Sequence, residues 1–272
     1  MGVQLQKITV GSGADARQIA VLARQGRAPG VFWLGGFKSD MQGSKAEALD
    51  AFAAATGHAA TRFDYSGHGR SGGDFLDGTI SRWLEEALAV FDAFAQGPQI
   101  LVGSSMGGWL ALLLAKALRE RGEAGRLAGL ILIAPAVDMT KALMSDHFGD
   151  AEWAEMERTG RVTQPSDYSE EPYVLTKALI EDGAKHLFGE APIETGCKVH
   201  IIQGMEDTDV PYSHAEKLAD RLCFDDVVLT LVRDGDHRLS RPQDLERLCA
   251  ALAKMAGGQD AAGTPEPPET AA

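Results

Sequence analysis

The sequence is short of three things. Cysteine is scarce: Cys197, Cys223 and Cys249 stand alone in 272 residues, far apart and with no C-x-x-C pair. An odd number at wide spacing excludes a disulfide frame and a structural zinc site, so the three read as reduced thiols of a cytoplasmic chain. Cations are scarce as well, with 26 Lys and Arg against 39 Asp and Glu, a net charge of -13. Nucleic-acid modules gather Lys and Arg on one face to neutralise phosphates, so no nucleic-acid partner is expected, nor a polybasic patch for an anionic membrane. Long apolar runs are missing. No stretch approaches the roughly 20 residues that cross a bilayer, and Met1–Val10 lacks the charged start and apolar centre of a secretory leader. The expectation is a soluble cytoplasmic protein without stable membrane insertion, in which nothing demands a second domain.

What is present is an alternation. Val3–Val10 and Arg17–Arg24 read as two strands joined by the turn Gly11–Asp15. Further strands follow at Gly30–Leu34, Ala59–Asp64, Gln99–Val102, Leu127–Ala134, Lys198–Ile202 and Val227–Val232. Several are apolar without a break, as strands covered on both faces are. Helices intervene at about Ser44–Thr56, from Thr79 through Phe94, at Trp109–Leu118, Ser213–Leu222 and Pro242–Met255. In the second of these, Ile80, Trp83, Leu84, Ala87, Leu88, Phe91 and Phe94 recur at helical spacing and leave Arg82, Glu85, Glu86 and Asp92 for water. The fold class is therefore α/β: a mainly parallel eight-stranded sheet with helices on both faces and antiparallel pairing at its start. Two stretches stand apart. Residues 139–196 are longer than one crossover needs and mix Met and aromatic residues with many charges, which predicts a helical lid over the strand ends. Residues 257–272 hold only Gly, Ala, Pro, Thr, Gln and acids, a composition that predicts a disordered tail.

The chemistry is carried by Gly103-Ser104-Ser105-Met106-Gly107, set between a short apolar strand and a strongly apolar helix. Strand, tight turn, buried helix is the context that makes G-x-S-x-G a nucleophile elbow. Glycines two before and two after let strand and helix approach closely, and Ser105 is lifted onto the tip beside the helix's free N–H groups. A serine hydroxyl is a weak nucleophile and needs a base. His237 leaves a strand end in Asp234-Gly235-Asp236-His237-Arg238, and an elbow expects the chain order serine, acid, histidine. His68, in the Gly-rich loop Tyr65–Gly73, is its competitor. The acid falls in Gly204–Pro211, where Asp207 is chosen to orient the imidazole and Asp209 is left as a turn residue, as are Asp234 and Asp236. The backbone N–H groups of Met106 and of Phe37, the latter in Gly35-Gly36-Phe37, are the candidate oxyanion-hole donors.

Phe63-Asp64-Tyr65-Ser66-Gly67, the run Gly97–Trp109 around the elbow, Tyr168-Ser169-Glu170-Glu171 and Gly235-Asp236-His237-Arg238 resemble the α/β-hydrolase superfamily, and within it the mitochondrial acyl-protein thioesterase branch. The resemblance runs from about Val3 to Met255. It implies the α/β-hydrolase fold, the catalytic set Ser105, Asp207 and His237, and, from that branch, removal of palmitoyl groups from protein cysteines or hydrolysis of acyl glucuronides. The chain departs in having Gly35-Gly36-Phe37 where the branch has a proline–glycine pair, and in its acidic tail. The function expected is a cofactor-free, metal-free serine hydrolase of carboxylic esters or thioesters, small-molecule or acylated-protein. Met144, Phe148, Trp153 and Met156 are candidates to line an acyl slot, packing of the lid onto the body being their other use. The rivals are a same-triad hydrolase of lactones, C–C bonds, amides or peptides, and a non-catalytic small-molecule receptor.

Overall fold

The computed structural model describes residues 3–164 and 172–257. It opens with β1 (Leu5–Val10), β2 (Arg17–Arg24) and β3 (Arg27–Leu34), then α1 (Ser44–Thr56), β4 (His58–Phe63), α2 (Ile80–Phe94), β5 (Gln99–Ser104), α3 (Met106–Glu120) and β6 (Leu127–Ile133). Next come α4 (Asp150–Thr159), β7 (Arg161–Gln164), β8 (Tyr173–Thr176) and α5 (Lys177–Gly183). The chain continues through β9 (Val199–Gly204), α6 (Tyr212–Arg221), β10 (Val227–Val232) and α7 (Pro242–Met255). Eight strands form one sheet in the order β1-β2-β4-β3-β5-β6-β9-β10. Strand β2 pairs antiparallel with β1 and β4, and the remaining neighbours are parallel.

Period-two alternation along apolar strands gives the sheet two cores. Phe32, Leu34, Leu101 and Leu130 face one side with Trp83 and Phe91 of α2 and Trp109 of α3. Val31, Trp33, Ile100 and Ile131 face the other, under Leu49 and Ala53 of α1 and Leu248 and Leu252 of α7. Helix α3 buries eleven of its 15 residues, which is why its sequence is apolar all round.

Three local expectations change. Glu86 does not face water: it is fully buried, its carboxylate ion-paired with the guanidinium of Arg17 and bonded by the N–H of Ser66 at 2.8 Å. A buried carboxylate persists only when paired and hydrogen-bonded, and Glu86 has both. Asp64 lies just past β4, where its carboxylate accepts from the N–H groups of Met41 at 2.6 Å and Arg70 at 2.8 Å. Finally, the 139–196 insert is not purely helical. Besides α4 and α5 it holds the antiparallel pair β7–β8, registered Arg161 to Thr176 and Gln164 to Tyr173. Phe148, Met156, Val162 and Leu175 form a small core of its own. Tyr168–Glu171 and the tail beyond Gly257 lie outside the described residues.

Candidate active site

The turn between β5 and α3 puts Ser105 at φ 55° and ψ −120°, a region that costs a non-glycine residue about 1–3 kcal/mol. Close packing holds it there. A Cβ on Gly103 would stand 2.2 Å from the Gly107 carbonyl oxygen, and one on Gly107 would stand 2.0 Å from that of Leu34. Only glycine fits at either place. The Ser105 N–H donates to the Ile133 carbonyl at 2.9 Å, while its own carbonyl accepts from Gly108 at 2.9 Å and Ala136 at 3.1 Å. With the backbone tied on three sides, the half-buried side chain is left facing outward.

Two other loops bring their side chains to it. His237 Nε2 lies 3.1 Å from Ser105 Oγ, and its Nδ1 lies 2.9 Å from Asp207 Oδ2. The loops are joined directly, the Glu206 N–H donating to the Gly235 carbonyl at 2.9 Å. Asp207 sits in the turn after β9, its Oδ1 accepting from the N–H groups of Asp209 at 3.0 Å and Val210 at 2.8 Å. Its Oδ2 also accepts from Gln203 Nε2 at 2.9 Å. Four donors fix this carboxylate in a place its chain position alone does not specify. Asp234 is instead paired with Arg241, and Asp236 accepts from the Leu239 N–H, so both serve the loop. Gln203 was missed in the sequence; its signal was an amide in the buried run Val199–Gly204.

The N–H of Met106 opens α3, and the loop after β3 runs past the serine: a Cβ on Gly36 would be 3.3 Å from that of Ser105. Among the described residues, neither the Phe37 nor the Met106 N–H donates to a loop carbonyl or side chain. Phe37 lines the cavity, and Met106 is buried directly behind Ser105 at the start of α3.

Ser105 and His237 lie in the wall of a cavity of about 1070 Å³. Loops after β3, β9 and β10 make one wall, and the insert supplies Met139, Leu143, Met144, Tyr173 and Leu175 to the other. Of the four acyl-slot candidates only Met144 lines the cavity. Phe148 and Met156 belong to the insert's own core, and Trp153, 40% exposed, packs edge-on against Phe148 with ring centroids 5.4 Å apart. Lys38, Lys45, Lys217 and Arg238 also line the cavity, with Asp40 and Asp209 as the acids. Lys45 donates to the Arg238 carbonyl beside His237, and burial, with Arg238 close by, draws its ammonium down to about 8. Among the described residues no three His, Cys, Asp or Glu side chains gather as a metal-binding cluster.

His68 is close to this site without being in it. It is 4% exposed, absent from the cavity wall, and bonded to Ser66 and to the Lys38 backbone rather than to Ser105.

The chain matches the family described as serine aminopeptidase, S33, over residues 32–169. It is 37% identical over 241 residues to the mitochondrial palmitoyl-protein thioesterase ABHD10 of Mus musculus, a match covering 88% of this chain and 79% of that one. Among solved structures, a putative hydrolase from Agrobacterium vitis S4 matches with a TM-score of 0.91 at 54% identity, over 94% of this chain and 100% of that one. Mouse alpha/beta hydrolase domain-containing protein 10 matches at 0.83 and 33% identity, over 93% and 98% of the two chains. No helix among the described residues is long and apolar enough to cross a membrane.

Proposed function

This chain belongs to the serine aminopeptidase S33 family of α/β hydrolases, and we propose that it cleaves esters or thioesters by acyl transfer through Ser105, His237 and Asp207. One observation carries the reading: a hydroxyl, an imidazole and a buried carboxylate in a line of 3.1 Å and 2.9 Å, opening into a cavity. His237 Nε2 takes the Ser105 proton as Oγ attacks the substrate carbonyl, while Asp207 holds the proton on Nδ1 and stabilises the imidazolium. The tetrahedral oxyanion is met by the N–H groups of Phe37 and Met106. Collapse expels the thiol or alcohol, which leaves with the proton from His237. Water, deprotonated by the same ring, then attacks the acyl-enzyme and releases the carboxylic acid and free Ser105.

The wall formed by Met139, Leu143, Met144 and Leu175 suits an aliphatic acyl chain, which buries about 0.8 kcal/mol per methylene. The relatives are named palmitoyl-protein thioesterases, and the substrate class proposed here is an acylated protein or a small ester or thioester. A fluorophosphonate probe should label the wild-type protein and not Ser105→Ala. A series of p-nitrophenyl esters with matched thioesters then reads the acyl preference. Failure of the folded protein to label at Ser105 would favour a binding role, and a preference for short chains without thioester turnover would remove the thioesterase reading.

A further inference from the structure

The loop that carries Phe37 needs something to hold its peptide planes, and the groups around it show what does. Lys38 has φ 56°, the left-handed region that a residue with a Cβ enters only when held there. Its backbone N–H points at His68 Nε2, 3.2 Å away. A backbone N–H can only donate, so Nε2 must be the unprotonated, accepting nitrogen. Nδ1 therefore carries the proton and gives it to the Ser66 carbonyl at 3.0 Å. Both ring nitrogens are thus used up on backbone groups, in one tautomer. The ring is wedged edge-on among Tyr65, Phe75 and Trp83, at centroid distances of 5.8, 5.1 and 5.4 Å. Burial also lowers its pKa, which keeps the accepting form. The anchor does not end at Ser66, whose N–H is held by the buried Glu86 carboxylate, itself ion-paired to Arg17. A continuous line of polar contacts runs from Arg17 and Glu86 through Ser66 and His68 to Lys38, one peptide from Phe37.

We infer that His68 is a positioning residue: by accepting the Lys38 N–H it fixes the Phe37–Lys38 peptide and, together with the Ser39 N–H held to the Gly36 carbonyl of the preceding peptide at 3.1 Å, aims the Phe37 N–H one plane away at the oxyanion. This rests on the hydrolase reading above, and His68 does not touch substrate. Catalytic donors act through alignment with the oxyanion rather than with the ground-state carbonyl, so loss of the anchor should appear in turnover and spare binding.

Three variants separate this role from mere packing. His68→Phe fills the space with no acceptor. His68→Asn keeps a group near the Nδ1 position and leaves the Lys38 N–H unanswered. His68→Gln places a carbonyl oxygen near the Nε2 position. With an ester whose turnover depends on Ser105, the Phe and Asn variants should lose kcat by on the order of 10- to 100-fold with KM within about twofold, and Gln should recover most of it. Affinity for a trifluoromethyl ketone, which forms the oxyanion, should fall in step with kcat/KM. Full kcat in folded Phe and Asn variants overturns the inference, as does a loss of kcat equal in all three. If the wild-type protein hydrolyses nothing, both readings fall. If it hydrolyses and the Phe and Asn variants match it, only the role of His68 does.

Discussion

Two histidines stand in loops that follow strands of the same sheet, and they differ in their partners and in their access to the cavity. His237 places Nε2 against a hydroxyl that can surrender its proton and Nδ1 against a carboxylate that can balance the resulting charge. His68 places Nε2 against a backbone N–H that cannot be deprotonated and Nδ1 against a neutral carbonyl. The first ring lines the cavity, and the second is shut behind Phe75 and Trp83. An imidazole becomes a base where its proton has somewhere to come from and its charge a counterion; elsewhere the same ring is a fixed strut.

The sharpest way to break that contrast is to remove each ring. Ser105→Ala and His237→Ala should each lower kcat by several orders of magnitude, up to about 10⁶-fold, with an unchanged circular-dichroism spectrum. His68 variants should stop at the smaller loss given above. A His68 variant as inactive as His237→Ala would reverse the assignment of the base. Next comes the carboxylate. Asp207→Asn keeps the shape but favours the wrong tautomer of His237, at a cost of about 10⁴-fold in kcat. Asp209→Asn keeps the backbone N–H that Asp209 donates to Asp207 and leaves the His237–Asp207 pair in place, so it should remain within about tenfold of wild type in the same assay.

Much of this was legible because it is written in local pattern. The eight strands follow from short, largely apolar runs alternating with helical stretches, and the elbow follows from glycines whose absent side chains the packing requires at Gly103 and Gly107. What stayed hidden depends on distant partners. Glu86 looks like a solvent-facing helix residue until Arg17, 69 positions away, arrives beside it. The bond from His68 to Lys38 spans 30 positions and uses a backbone N–H, which leaves no trace in side-chain chemistry. In the insert, β7 and β8 have four residues each, too few for a period to declare itself. Its Met and aromatic residues could serve a core or a slot, and composition does not say which.

Packing sorts those residues into a testable pair. Met156 is fully buried in the insert's core, so Met156→Ala should cost about 2–5 kcal/mol of local or global stability, read by urea unfolding or limited proteolysis, with no change in acyl preference once folded. Met144 faces the cavity, so Met144→Ala should leave stability nearly intact and shift the chain-length optimum by a few-fold in kcat/KM. The reverse pattern would put the acyl chain on the other side of the insert.

The smallest effect concerns charge alone. Burial lowers the pKa of His68, and likewise of His186, His200 and His214, below the usual 6.5. The unfolded chain then binds more protons than the folded one between each lowered value and 6.5. Stability is therefore full above 6.5 and drains away as the pH falls toward the folded values, by about 1.4 kcal/mol per pH unit for each proton of difference. Asp64 acts in the opposite sense, because burial raises its carboxyl above 3.8 and a protonated form favours the fold as acid is added. Urea midpoints of the wild type and of His68→Gln compared between pH 7 and 5.5 carry the same Asp64 contribution, so their difference isolates His68. The midpoint should fall across this range, and His68→Gln, which cannot titrate, should flatten the slope by up to one proton's worth. A slope unchanged in that variant would mean that the His68 ring takes up protons in the folded protein as freely as in the unfolded chain, and a ring that does so is not the neutral acceptor that the Lys38 N–H requires.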